Sequence, residues 1–394
     1  LMHRELVDRH RWLTEAEFLR ALSFCMMLPG PEAMQLATYC GWRLRGTSGG
    51  LIAGLLFVLP GAVVVLALAA VYAAFGRLPL VAAMFTGVQA AVLVIVLHAL
   101  HRVAKRALRG WQHWAIAAVA FLALFAFNLP FPVVVLGAGL AGFVFGHSAA
   151  PILTPASQTG PHTGMMRAAL AQTLIWGAIW LVPLAALWLL ENGLLFEIGV
   201  FFSQLAVVTF GGAYAVLAWM AQAVVQEKAW LTLPQMIDAL GMAETTPGPL
   251  ILVTEFVAYL AGHRAGGWLM GTAAATVALW MTFAPCFLWI FAGAPFIRRL
   301  EHAPRLSAAL GAITAAVVGV IANLSLWFAA HVLFGEVATL NAGPIRTLAP
   351  VWSTLSPTAL FLAVLAGGLI LWRHWGLPAT LLICAILSVL LTML

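Results

Sequence analysis

The sequence predicts an all-α polytopic membrane protein built from two homologous halves, each with a helix pair broken by Pro-Gly-Pro. Three observations carry that prediction. Only 8% of the 394 residues are charged and 63% are hydrophobic, with a mean hydropathy of +1.03. A soluble domain carries about 25% charged residues, and this composition cannot make a water-facing surface without large apolar patches. Apolar stretches near the length that crosses hydrocarbon, about 20 residues, follow one another along the chain. Finally, motifs recur at a constant offset. Trp12-Leu13-Thr14 falls on Trp230-Leu231-Thr232, and Pro29-Gly30-Pro31 on Pro247-Gly248-Pro249, both 218 apart (230 − 12 and 247 − 29).

In chain order, the expected spans are 50–75, 79–100, 114–129, 130–146, 168–190, 196–219, 267–293, 306–330, 356–372 and 376–393. The stretches 14–45 and 232–262 are apolar but interrupted in the middle. Each holds two helical pieces of roughly 15 residues, about 22 Å apiece, and reads as a discontinuous or re-entrant pair. The repeat extends to Ala21-Leu22 on Ala239-Leu240 and Met2 on Met220, then drifts, with Pro60 on Pro285 and Gly87 on Gly311. Two repeats, 1–190 and 191–394, are expected. The span 196–219 has no counterpart before Leu1, so one further upstream helix of about 20 residues is expected.

Charge excludes several classes. Of the 19 cations only Lys105 and Lys228 are lysine, and the cations sit in short segments between apolar runs. That is loop charge under the positive-inside rule, not a nucleic-acid surface. Cys25, Cys40, Cys286 and Cys384 are scattered and have neither disulfide-framework nor zinc spacing, so no metal or other cofactor is expected. The segment 98–113 holds His98, His101, Arg102, Lys105, Arg106, Arg109 and His113 and is expected in the cytoplasm of a bacterial inner-membrane, multi-pass protein. From there 191–193 falls outside and 220–230 inside. Arg298, Arg299, Arg305 and Arg373 fall inside if 232–262 makes one net crossing. Residues 1–12 then fall outside, which inverts the halves but leaves Arg4, Arg9 and Arg11 against the rule.

Backbone breaks at membrane depth are tolerated only where protein or water satisfies the freed groups. Pro cannot continue a helix and Gly makes the turn. The piece after each break starts with unpaired N–H groups and a positive dipole end, which favour an anion. Two matched discontinuous helices are a transporter arrangement; packing kinks are the alternative. The expected substrate-binding residues are Pro29, Gly30, Pro31, Thr245, Thr246, Pro247, Gly248 and Pro249, with Phe210, Gly211 and Gly212 as a second backbone opening or a close helix contact. Intramembrane ionisable and polar groups near the breaks are coupling or gating candidates: Arg20, Glu32, Gln35, Asp238, Glu244 and Glu255. Arg20 and Asp238 are equivalent by the repeat (20 + 218 = 238), and a structural ion pair between them is an equal reading.

Met2-His3-Arg4-Glu5, Trp12 to Phe18, Leu28 to Thr38, Thr209-Phe210-Gly211-Gly212 and Ala243 to Leu250 resemble the chromate ion transporter (CHR) family, in its two-domain, long-chain form. The likeness covers both halves. It implies export of chromate, or of sulfate as the related tetrahedral dianion, and resistance to chromate. Two-domain members carry Phe-Gly-Gly in each half, and here the first copy is absent. The expected partners are thus the oxyanion and the lipid bilayer, with no nucleic acid, and a homo-oligomer is left open. An intramembrane enzyme needs a constellation such as HExxH, GxSxG or an aspartate pair, and none appears. A sulfate or other anion transporter and a non-transporting membrane protein are the alternatives.

Overall fold

A computed structural model describes residues 2–76, 78–146, 163–210, 213–246, 248–297, 304–342 and 345–393. After a π-helical turn at Arg4–Arg9 come α1 (Glu15–Met27), α2 (Glu32–Phe75), α3 (Pro79–Ala107), α4 (Trp111–Phe125), α5 (Phe131–Phe145) and α6 (Thr163–Leu189). Next are α7 (Gly193–Val208), α8 (Ala213–Gln222), a second π-helical turn (Ala223–Glu227), α9 (Leu233–Thr245) and α10 (Val253–Gly293). The chain continues with α11 (Pro304–Leu333), a strand pair β1 (Val337–Ala342) and β2 (Ile345–Pro350), α12 (Pro357–Gly367) and α13 (Leu377–Met393). The antiparallel strand pair is an addition to the all-α expectation. Five helical stretches are long and apolar enough to cross a membrane, among the described residues.

The repeat is written into the backbone. Thr14 caps α1 in a reciprocal box with Glu17, and Thr232 caps α9 in the same way with Gln235; such a cap contributes about 1 kcal/mol. Arg11 and Ala229 both have positive φ, +52° and +50°, at the offset of 218 (229 − 11). Gly30 and Gly248 match at φ +117° and +123°. Within α2 the helix turns at Arg45-Gly46, and within α10 at Gly266-Gly267, with nearly the same dihedrals.

Those last two points are hairpin turns, not kinks. Gly41 lies directly against the Gly49 carbonyl, and Gly50 and Gly54 lie against Thr38, which a straight helix rising 1.5 Å per residue cannot achieve. Gly262 meets Met270, and Gly271 meets Tyr259, in the same way. α2 and α10 are therefore each a short piece folded back on a full-length crossing helix. Glycines at the crossing let the backbones touch.

The broken pairs are re-entrant. Arg43, at the end of the short piece of α2, pairs with Glu17 at the start of α1 (3.6 Å). The Arg264 guanidinium, at the end of the short piece of α10, reaches the Trp230 carbonyl just before α9 (3.5 Å). Each pair enters the bundle and returns to the level at which it began. The expected net crossing by 232–262 does not occur. Nor is 196–219 a single span: α7 and α8 are separated by a break, and Lys228 after α8 pairs with Glu197 near the start of α7 (2.6 Å). Phe201 packs edge-on against Trp219 and Trp230, as a folded-back hairpin requires.

These reversals correct the sequence-derived sidedness. Residues 1–12 now share an end of the bundle with 98–113, and 220–230 share the opposite end with 191–193. The remaining contacts agree. Asn128, after α4, bonds Gln222 (2.8 Å). α5 runs antiparallel to α11, with Gly139 against Ile313 and Gly142 against Ala312. Arg298 and Arg299 lie outside the described residues.

Candidate functional site

Three chain breaks meet in the interior. The first is Leu28–Pro31 between α1 and α2, the second follows Thr209 between α7 and α8, and the third follows Thr246 between α9 and α10. Gly30 N–H donates to the Thr209 carbonyl (2.8 Å), joining the first to the second. The Tyr214 hydroxyl in the first turn of α8 donates to Glu244 Oε1 (2.9 Å), joining the second to the third.

Each Pro-Gly-Pro is braced by the crossing helix of the other half. A Cβ built at Gly30 would stand 2.8 Å from Cys286 Sγ, next to Pro285 on α10. One at Gly248 would stand 3.4 Å from the Cα of Gly61, next to Pro60 on α2. The matched prolines seen in the sequence thus mark where each half receives the other half's break. α2 and α10 also pack together directly, with Gly50 on Phe291 and Gly54 on Phe287.

The expected binding residues divide by position. Pro29 and Pro31 are half-buried and Gly30 is buried at the first break. Phe210, Thr246 and Pro249 are half-buried, while Thr245 and Gly248 are exposed. Gly211, Gly212 and Pro247 lie outside the described residues. The Thr245 and Thr246 hydroxyls donate to the carbonyls of Met242 and Ala243 in their own helix, which leaves their oxygens as acceptors in this conformation. A small cavity of about 10 Å³ beside Thr246, lined by Val65, Leu68, Met242 and Phe256, has room for about one water.

The ionisable candidates separate more sharply. Arg20 and Asp238 do not pair. Arg20 is exposed on α1, whereas Asp238 is buried and accepts hydrogen bonds from the Tyr72 hydroxyl and Gln89 Nε2, both at 2.6 Å. Equivalence in a repeat places two residues on matching faces of different helices, not in contact. Glu32 is half-buried in the first turn of α2. Gln35 is buried, and its Nε2 donates to the Pro29 carbonyl (2.6 Å), closing the first break. Its Oε1 has no hydrogen-bond partner among the described residues, and neither does Glu255 Oε2, buried in the first turn of α10. A buried polar atom left unpaired costs about 1–3 kcal/mol, and one such atom stands just past each Pro-Gly-Pro.

Sequence reasoning missed Tyr214, Tyr72, Gln89 and Cys286. Each is a polar or polarisable residue inside an apolar run. The signal for Cys286 was its place next to matched Pro285. Tyr214 follows directly on the Phe-Gly-Gly segment. Among the described residues no cluster of metal-ligating side chains occurs. A wider cavity of about 430 Å³ lies at the far end of α8 beneath the strand pair, lined by Asn128, Gln222, Gln226, Asn323, Trp327 and Thr339.

A profile of the family described as Chromate transporter matches residues 1–143 and 196–390. The chromate transport protein of Pseudomonas aeruginosa is 31% identical across 94% of this chain and 86% of its own length. That of Cupriavidus metallidurans is 31% identical across 81% and 74%. The probable chromate transport protein of Synechococcus elongatus is 29% identical across 93% and 88%. No solved structure matches the chain.

Proposed function

The chain belongs to the chromate transporter family, and we propose that it exports chromate from the cytoplasm through the space where its three breaks meet, and so confers chromate resistance. It is a multi-pass membrane transporter, not an enzyme. The observation that carries the export reading is the convergence of the breaks: Gly30 bonds Thr209, and Tyr214 bonds Glu244. The N-termini of α2, α8 and α10 begin at these points, and helix N-termini attract anions.

The two repeats are inferred to be inverted. The α1–α2 pair opens at the end carrying Arg4, Arg9, Arg11, Arg43, Arg102, Lys105 and Arg106, and the α9–α10 pair opens at the other. Placing the basic end in the cytoplasm satisfies the positive-inside rule, including the three N-terminal arginines that opposed it before. α6 (Thr163–Leu189), the last helix of the first repeat, supplies the odd crossing that inversion requires. The amide-lined cavity under the strand pair then lies on the outer side, where the ion is released. Sulfate, a tetrahedral dianion of the same shape, is the competing substrate.

Chromate is a dianion near neutral pH, so an inside-negative potential drives it outward by about 4.6 kcal/mol per 100 mV. The potential alone suffices for export. The test is flux of labelled chromate and sulfate in proteoliposomes under a potassium diffusion potential without a pH gradient. Saturable chromate movement that follows the potential is expected. No movement of either anion by folded protein would sink this reading, and movement of sulfate alone would reassign the substrate.

A further inference from the structure

The site holds a puzzle. Glu32 and Glu244 sit beside the helix N-termini that are to receive a dianion, and like charges repel. A counter-charge is needed, and α3 supplies it. α3 runs alongside α9: Gln89 bonds Asp238, and Val88 and Val92 lie against Gly241. Continuing from Val92, the last turns of α3 pass the end of α9 and reach the third break. Helical side chains lean toward the helix N-terminus, so the long arginines near the end of α3 lean back into the bundle. Arg102 comes within electrostatic reach of Glu244 and Tyr214, and Arg106 within reach of Glu32. Two arginines four residues apart share one helix face. Both stand on the last turns of α3, past the end of α9, and so mark a mouth at the basic end of the bundle on that side of the third break. Both arginines are exposed, as a receiving site requires, and neither forms an ion pair within 4 Å among the described residues.

We propose that Arg102 and Arg106 receive the tetrahedral dianion at this mouth and hold it there before it passes between the breaks. The inference rests on the transport reading above. Guanidinium groups suit an oxyanion because their planar donors match two of its oxygens at once. They offset Glu32 and Glu244 while the mouth is empty and turn to the dianion when it arrives.

The experiment measures chromate uptake into inside-out proteoliposomes made from zwitterionic lipid, with Arg102→Gln, Arg106→Gln, Arg102→Lys and, as control, Lys105→Gln. Each arginine-to-glutamine change should raise KM about tenfold with Vmax changed less than about twofold. Arg102→Lys should recover part of the loss, and Lys105→Gln should leave KM unchanged. If Arg102→Gln inserts poorly, Arg102→Cys separates charge from folding. A positively charged thiosulfonate should restore uptake, and a negatively charged one should not. Unchanged KM in both glutamine variants, with wild-type flux intact, would overturn the proposal. So would a KM shift seen only when anionic lipid is added, which would assign the arginines to lipid phosphates. Absence of chromate and sulfate flux in the wild type strikes the transport reading instead.

Discussion

Gly30 and Gly248 hold φ at +117° and +123°, a region that residues with a Cβ enter only at a cost of about 1–3 kcal/mol. Their surroundings differ. Gly30 is buried between Cys286 and Gln35, while Gly248 is exposed and, among the described residues, meets Leu252 and Gly61. Gly30→Val should therefore lower the amount of folded protein as well as transport. Gly248→Val should insert normally yet lose more than about tenfold in chromate flux, about 1.4 kcal/mol or more in barrier terms. Full resistance in both variants, scored by growth on chromate beside membrane protein levels, would remove the breaks from the site. A residue-scale effect of pH belongs to the exposed N-terminal segment. His3 bonds Glu15 (2.6 Å) and faces Asp8 (3.4 Å), and the Glu15 hydrogen bond, opposed by desolvation, raises its pKa above the ordinary 6.5. The contact is complete below pH 6.5 and is lost as pH rises through the raised value. The NMR titration of His3 should show that midpoint, and Glu15→Gln should bring it down. An ordinary midpoint in the wild type would refute the contact.

Pro-Gly-Pro at the level of elements sets a reversal rather than a bend. The length of each piece, roughly 15 residues, is too short to cross. It left open whether two short pieces add up to one crossing or cancel. Cancellation is decided by Glu17–Arg43 and Trp230–Arg264, contacts between residues 26 and 34 positions apart (43 − 17 and 264 − 230) that no local pattern announces. The hairpin turns at Gly46 and Gly267 were equally hidden, because the apolar run continues through them and only glycine spacing hints at the fold-back. Single cysteines test the arrangement. Arg11→Cys and Arg43→Cys should react with an impermeant maleimide only from the cytoplasmic side. Lys228→Cys and Arg264→Cys should react only from outside. Labelling in intact cells of Arg11→Cys but not Arg43→Cys, or of only one of Lys228→Cys and Arg264→Cys, would restore a net crossing.

At the scale of the whole molecule, composition and hydropathy were enough to establish a helical, multi-pass membrane protein, and the 218-residue offset was enough to predict its matched breaks. Each depends on residues near one another in sequence, or on the identity of a motif. The bilayer makes such signals strong because it demands long apolar runs and penalises every broken backbone. Which breaks meet was a different matter. Gly30 with Thr209, Gly248 with Gly61, and Asp238 with Tyr72 and Gln89 rather than with Arg20 are pairings between elements far apart in the chain. They depend on how the two halves interlock around α2 and α10. Sequence periodicity records which face of a helix avoids lipid, but many partners satisfy the same apolar face. Only packing of the complete bundle chooses among them, and with that choice it set the direction of every re-entrant pair and the end at which the basic residues gather.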